Sequence, residues 1–148
     1  MSLEVVEKVK EENEVDAKQP TMQEYVNLYN VLVTCQDLPG LKFAKKVSYN
    51  IETLEIALSP LNEILTPTKE FTEFAQKVQD EAAGDTEKIK ELEAKEPELI
   101  KARQAQIDVY QGMLTEERKL SLKKIPSNDL PKDMTARQLR GLQSIIYG

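Results

Sequence analysis

Residues 41–65 read LKFAKKVSYNIETLEIALSPLNEIL, and apolar side chains recur along them at alternating intervals of four and three. That spacing predicts an amphipathic helix with a narrow apolar seam. The seam needs other helices against it, because each large aliphatic side chain gains about 1.5–3 kcal/mol when it is buried. We therefore predict a helical assembly built around residues 41–65. The seam residues are Ala44, Val47, Ile51, Leu54, Leu58, Leu61 and Leu65.

The composition of the whole chain also favours helices over sheets. Of its 148 residues, 31% are charged and 40% are hydrophobic, but only 5% are aromatic. Such a chain has the length of one domain and lacks the β-branched and aromatic enrichment that strands require. We predict an all-α fold, an elongated helical hairpin or bundle of about four to five helices, with a short C-terminal extended segment and a terminal helix.

Proline, glycine and capping residues divide the chain into three predicted parts. Residues 1–20 are mostly polar and form a flexible or partner-dependent N-terminal arm. Residues 21–119 form the helical hairpin or bundle, in which helices at 22–36 and 99–119 cover the seam. Residues 120–148 form a basic C-terminal segment, in which the alternation of Leu120-Ser121-Leu122 followed by Ile125-Pro126 predicts a short extended stretch suited to pairing with a partner's strand edge.

The sequence leaves open how many helices lie between residues 41 and 83. Pro60 and Pro67 both interrupt helical hydrogen bonding, so residues 41–83 form either one kinked helix or two. In the second case Thr66 is the expected N-cap of a helix at 67–83. Thr135 and Gln138 have the spacing of a capping box and predict the start of the terminal helix.

The residue types used in most catalytic and metal sites are scarce. The chain has no histidine, and its single cysteine, Cys35, lies in an apolar helix where we expect a small buried side chain. There is no phosphate-binding glycine loop, dinucleotide fingerprint or zinc-ligand spacing. Acidic pairs such as Glu52 with Glu55 are expected from the abundance of carboxylates. We therefore predict no enzymatic activity, cofactor, metal or small-molecule substrate.

The sequence also predicts where the protein is found. A single cysteine favours a reducing compartment, and no apolar run is long enough to span a bilayer. The N-terminus also lacks the pattern of a signal peptide. The expected location is the cytoplasm, or a host cytoplasm or virion if the protein is viral.

Charge is distributed unevenly along the chain. Residues 1–117 hold 13 basic and 24 acidic residues, whereas residues 118–148 hold 7 basic and 2 acidic ones. Basic side chains in the tail and a second apolar stripe on the central helix are the candidate partner surface, which suits protein partners or, as the weaker possibility, nucleic acid. The candidate residues are Tyr49, Ile56, Arg118, Lys119, Lys123, Lys124, Arg137 and Arg140.

The run KIPSNDLPKDMTARQL at residues 124–139, followed by Leu142 and Ile146, resembles a pattern in small uncharacterised all-helical proteins of tailed phages and prophages. In these proteins a helical hairpin precedes a short apolar segment, a Leu-Pro turn and a Thr-capped helix containing Gln-Leu. The resemblance implies a role in virion structure or assembly and transfers no catalytic residue.

We therefore hypothesise a non-enzymatic protein-interaction component that docks helix faces against copies of itself, as a homo-oligomer or larger assembly, or against another protein. The seam itself is expected to be an intramolecular core rather than an open coiled-coil surface, because a short turn supplies its first neighbour at low entropic cost. The alternative function is a nucleic-acid-associated accessory protein, or an inhibitor of a host factor, that uses the basic C-terminal segment.

Overall fold

The computed structural model describes residues 19–148, which form six α-helices, two 3₁₀ turns and one two-stranded parallel sheet. The all-α class with a short C-terminal extended segment is confirmed. The predicted N-terminal arm lies outside the described residues, apart from its last two positions. The helices are α1 (Met22–Thr34), α2 (Leu41–Leu65), α3 (Lys69–Ala82), α4 (Thr86–Ala94), α5 (Pro97–Leu114) and α6 (Ala136–Gly141). The strands are β1 (Ile125–Pro126) and β2 (Ile146–Tyr147).

The central helix α2 is continuous through Pro60 and ends at Leu65, so residues 41–83 contain two helices. The predicted cap at Thr66 is wrong. The Thr66 N–H bonds back to the Asn62 carbonyl at 3.1 Å, which makes Thr66 an extension of α2. Thr68 instead caps α3, and its hydroxyl accepts the Phe71 N–H at 3.1 Å.

The described chain divides into two compact units, and the division differs from the predicted one. One unit contains residues 19–58 and 115–148, and the other contains residues 59–114. The C-terminal segment is therefore part of the first unit rather than a separate tail. It belongs there because Ile125, Leu142 and Ile145 are all buried and α6 packs against α1.

The core of the first unit includes one face of α2 and differs from the predicted seam at its start. Val47, Ile51, Leu54 and Leu58 are buried, and Leu61 is buried farther along α2, whereas Leu65 at the helix end is half-buried. Ala44 is exposed, so its assignment to the core is wrong. Phe43 takes that place with an exposure of 1%, because a straight helix turns 100° per residue and aligns position 43 with positions 47 and 54.

The second unit contains α3, α4 and α5, and α5 packs against both of the other helices. α5 begins at Pro97 and ends at Leu114, whereas the sequence predicted a helix at residues 99–119. The Phe71 and Phe74 rings of α3 contact each other at a centroid distance of 6.2 Å. The Arg103 guanidinium lies 5.5 Å from the Phe71 ring and donates to the Leu65 carbonyl at 2.7 Å.

The C-terminal extended segment pairs within its own chain. β1 and β2 are parallel, with Ile125 opposite Ile146, so this stretch uses the end of the chain rather than a partner's edge. The predicted capping box is confirmed: the Thr135 hydroxyl accepts the Gln138 N–H, and the Gln138 side chain accepts the Thr135 N–H. The terminal helix ends at Gly141, and a 3₁₀ turn at residues 143–145 follows it and leads into β2.

Candidate interaction surface

The face of α2 opposite the core carries large apolar side chains in solvent. Leu41 is 72% exposed, Ile56 is 78% exposed and Tyr49 is 42% exposed. Lys45 and Glu52 are also exposed, and intervals of three and four place all five residues on one side of the helix. We call these five residues the outer α2 face. Single exposed apolar residues are common, but an aligned set on one helix indicates a contact surface.

Lys123 extends this surface from a different part of the chain. Its ammonium nitrogen lies 5.0 Å from the centre of the Tyr49 ring, which is a cation–π geometry. Such a contact at an exposed site contributes about 0.5–1 kcal/mol. Of the predicted partner residues, the structure therefore brings Tyr49, Ile56 and Lys123 to one side of the first unit.

Asn50 holds Lys123 in this position. Its side-chain nitrogen donates to the Lys123 carbonyl at 3.0 Å, and its side-chain oxygen accepts the Lys123 N–H at 2.7 Å. Asn50 is 0% exposed, so its side-chain amide is shielded from water and needs these two partners. The amide satisfies both backbone groups of Lys123, as a neighbouring strand would.

Further hydrogen bonds fix residues 116–124, which we call the strap, across the first unit. The Tyr25 hydroxyl donates to the Arg118 carbonyl at 2.8 Å and accepts the Leu120 N–H at 3.2 Å. The Arg118 N–H donates to the Pro20 carbonyl at 2.9 Å. The strap is therefore attached to α1 through Tyr25 and to α2 through Asn50.

Two of the predicted basic residues line a small cavity beside the strap. The cavity has a volume of about 240 Å³, and Lys119, Lys124, Glu24, Leu28 and Ile145 are among its lining residues. The acidic Glu24 thus lines the same cavity as Lys119 and Lys124. The cavity is therefore mixed in charge rather than uniformly basic.

The other predicted basic residues lie elsewhere. Arg140 lines a second depression of about 320 Å³ next to α1, together with Gly141 and Asn27. Arg118 and Arg137 are exposed and line neither the cavity nor this depression. The tail's positive charge is thus divided among several positions of the first unit.

A groove of about 450 Å³ runs along α2 near the end of α1. Ala44, Val47 and Ile51 line it together with Glu52 and Glu55. The groove explains why Ala44 is exposed although its neighbours on the apolar seam are buried.

Sequence reasoning found Tyr49 and Ile56 but missed the two residues that organise their surroundings. Phe43 was overlooked because the apolar intervals fit Ala44 equally well. Asn50 was overlooked because it is polar, although its intervals from Val47 and Leu54 place it on the buried face. A polar residue inside an apolar periodicity was the available signal for a buried hydrogen-bonding role.

Burial makes the Cys35 thiol less acidic, which is the opposite of the change that activates a cysteine. Cys35 is 1% exposed, and burial raises the pKa of its thiol although a weak contact with the Thr34 hydroxyl acts in the opposite direction. Residues 19–148 contain no group of three or more acidic, cysteine or histidine side chains arranged to hold a metal ion. Over the same residues, no helix is both long enough and apolar enough to cross a membrane.

Comparison with protein-family models, curated proteins and solved structures gives no match to this chain. The resemblance to helical phage proteins therefore rests on the sequence pattern alone, whose most specific part is residues 124–146.

Proposed function

We propose that the protein is a non-enzymatic helical interaction component, of the virion-structural or assembly type, that docks through the outer α2 face. The observation that carries this proposal is the exposure of Leu41, Tyr49 and Ile56 on the side of α2 opposite its core. A helix that exposes large apolar side chains opposite its core has a surface available for another molecule.

The energetics of the outer α2 face favour docking. Covering a Leu41 or Ile56 side chain releases about 1.5–3 kcal/mol each when burial is complete. Tyrosine is enriched among residues that dominate binding energy, and Tyr49 is already oriented by Lys123. Lys45, Glu52 and Lys123 add charges that select an orientation more than they add affinity.

The assignment to virion structure or assembly is supported by the resemblance in residues 124–146. In the structure this stretch comprises β1, the capped helix α6 and part of β2, which complete the first unit. Residues 124–146, which resemble phage proteins, therefore belong to the first unit. The whole outer α2 face belongs to that unit as well.

A capture experiment tests this function. Immobilised protein is incubated with lysate from cells in which a tailed phage is assembling, and retained phage proteins are identified by mass spectrometry. We expect the wild type to retain a virion or assembly protein and Ile56→Ser to lose it. Val109→Ser is the matched control, since Val109 is 50% exposed on α5. Absence of any phage protein, or equal retention by Ile56→Ser, contradicts the proposal.

A nucleic-acid-associated role is the second candidate, and the contact between Lys123 and Tyr49 is the observation in its favour. An exposed ring next to a cation suits a stacked base and its phosphate. Gel shifts with single-stranded DNA and RNA over a salt series test it. Binding that weakens steeply with salt and is reduced by Tyr49→Ala supports this role. No shift at low salt excludes it.

A further inference from the structure

We propose that the partner of the outer α2 face is a second copy of this chain, packed with its α2 antiparallel to the first. This inference rests on the proposed function, because it names the partner of the same surface. It follows from the order of residues along the face, from their charges and from the electrostatics of the helix start.

The outer α2 face is self-complementary about its centre. Leu41 and Ile56 are equidistant from the midpoint between Ser48 and Tyr49, and so are Lys45 and Glu52. Because the helix rises by a constant amount per residue, a twofold axis through that midpoint places Leu41 of one copy opposite Ile56 of the other. The two most exposed apolar side chains of α2 then cover each other.

The same axis places Lys45 of each copy opposite Glu52 of the other, which gives two opposite-charge pairs. A parallel arrangement in the same register places Lys45 against Lys45 and Glu52 against Glu52. Like charges that face each other across an interface are destabilising and exclude that orientation. The positions of Lys45 and Glu52 along α2 therefore favour the antiparallel pair.

The start of α2 supplies a second reason for an acidic partner. Lys42, Lys45 and Lys46 lie near its N-terminus and the first turn has no acidic residue, although positive charge is unfavourable at the positive end of the helix dipole. Lys46 is compensated by Asp129 at 3.4 Å. In the described residues Lys45 has no ion-pair partner, and Glu52 of a second copy provides one.

The centre of the pair is also suited to contact. The two Tyr49 rings lie beside the axis, and the neighbouring Ser48 is small enough to allow close approach of the helices. Aromatic pairs prefer offset or edge-to-face geometry, which rings on two crossing helices can adopt. In each copy the buried Asn50 holds Lys123 beside Tyr49. The two lysines thus place positive charge at the edge of the contact between the two Tyr49 rings.

The expected association is weak because one pair of helices forms the contact. Such an interface lies below about 1,200 Å² in total, in the range of transient complexes. We expect a dissociation constant on the order of 10–100 µM after the entropic cost of association.

Sedimentation equilibrium over roughly 1–500 µM, a range that brackets the expected constant, measures this association. We expect the average mass to rise from that of the monomer toward that of the dimer. Ile56→Ser should weaken the pairing at least about tenfold, which corresponds to about 1.4 kcal/mol. Val109→Ser should leave it unchanged. A monomer at every concentration overturns the inference.

A charge exchange tests the antiparallel register. Lys45→Glu alone and Glu52→Lys alone each place like charges in both pairs, and each should weaken association about tenfold or more. The two substitutions in one chain recreate both opposite-charge pairs and should restore association to within about threefold of wild type. Lys101→Glu, an equal charge change on α5, should have no effect. A double variant as weak as the single ones overturns the antiparallel register.

Disulfide trapping locates the contact directly. Leu41→Cys and Ile56→Cys chains are mixed and oxidised, and the cross-linked peptides are identified by mass spectrometry. We expect bonds between positions 41 and 56 of different chains. Bonds joining position 41 to position 41 overturn the antiparallel arrangement. The native Cys35 is buried and should not compete.

The two proposals fail in different ways. A chain that stays monomeric but captures a phage protein in an Ile56-dependent manner overturns self-pairing and leaves the proposed function supported. A chain that pairs as described but captures no phage protein supports self-pairing and overturns the virion or assembly role.

Discussion

Asn50 is a single polar side chain that determines where a separate segment of the chain lies. It is buried in the face of α2 that otherwise holds Phe43, Val47 and Leu54, and both of its polar atoms are satisfied by Lys123. The position of Lys123 next to Tyr49 therefore depends on an amide one residue farther along α2. Asn50 therefore affects the outer α2 face although its own side chain is buried in the core.

Replacing Asn50 by alanine should destabilise the protein by about 2 kcal/mol or more. The substitution removes both hydrogen bonds of the buried amide, each worth about 0.5–1.5 kcal/mol, and leaves a small void in the core. Urea unfolding monitored by circular dichroism measures the change. Asn30→Ala, at an exposed position of α1, is the control and should change stability by less than about 0.5 kcal/mol. Equal effects of the two substitutions would show that the strap does not need Asn50.

Cys35 should make stability fall at alkaline pH. Burial raises the pKa of its thiol above the ordinary value of 9.0, so the unfolded chain releases this proton first as pH increases. The contribution is complete below the unfolded pKa and is lost as pH rises through the folded pKa. Unfolding free energies measured from pH 7 to pH 10.5 should therefore decline less steeply in Cys35→Ala than in wild type. Identical slopes would contradict the raised pKa.

At the scale of elements, the sequence predicts a helix correctly where interactions between neighbouring residues determine it. The helical character of residues 41–65 and the Thr135 capping box follow from apolar periodicity and from short-range hydrogen bonding, which involve neighbouring residues only. The choice between Thr66 and Thr68 as the cap was not readable, since both threonines flank Pro67. It depends on how far α2 continues, and Pro60 does not stop that helix.

The contact between α6 and α1 depends on a glycine that no sequence pattern marked. A Cβ atom at Gly141 would lie 2.5 Å and 2.8 Å from the two methyl groups of Val31 and 3.1 Å from its Cβ. Valine has little rotamer freedom in a helix, so it cannot turn away. Gly141 therefore sets the distance at which α6 packs on α1.

Gly141→Ala should destabilise the protein by about 1–3 kcal/mol, the usual cost of overpacking, despite the better helix propensity of alanine. Gly112→Ala is the control, because a Cβ there meets nothing within 4 Å and should stabilise α5 by about 0.5–1 kcal/mol. Thermal unfolding distinguishes the two. Val31→Ala combined with Gly141→Ala should recover part of the loss, and a lack of recovery would place the strain elsewhere.

At the scale of the whole molecule, the all-α class followed from composition and periodicity, but the division into units did not. Sequence reasoning separated the basic residues 120–148 because their charge and pattern change there. The structure instead joins them to residues 19–58, because Tyr25 and Asn50 bind the strap and α6 packs on α1. Contacts between segments so far apart in sequence leave no local pattern. The same holds for Lys123 and Tyr49, whose proximity on the candidate surface depends on this long-range packing.

Removing residues 120–148 tests whether they are a separate segment or an integral part of the first unit. The deletion takes away Ile125, Leu142 and Ile145, each worth about 1.5–3 kcal/mol when buried, and a typical domain has only about 5–15 kcal/mol of stability. It also leaves Asn50 unpaired on an uncovered face of α2. Hydrogen exchange followed by mass spectrometry should show strong loss of protection in residues 22–58. Residues 59–114 form the other compact unit and serve as the control within the same sample, where we expect protection to be retained. Unchanged protection of residues 22–58 would mean that they fold without the C-terminal segment, as the charge pattern alone suggests.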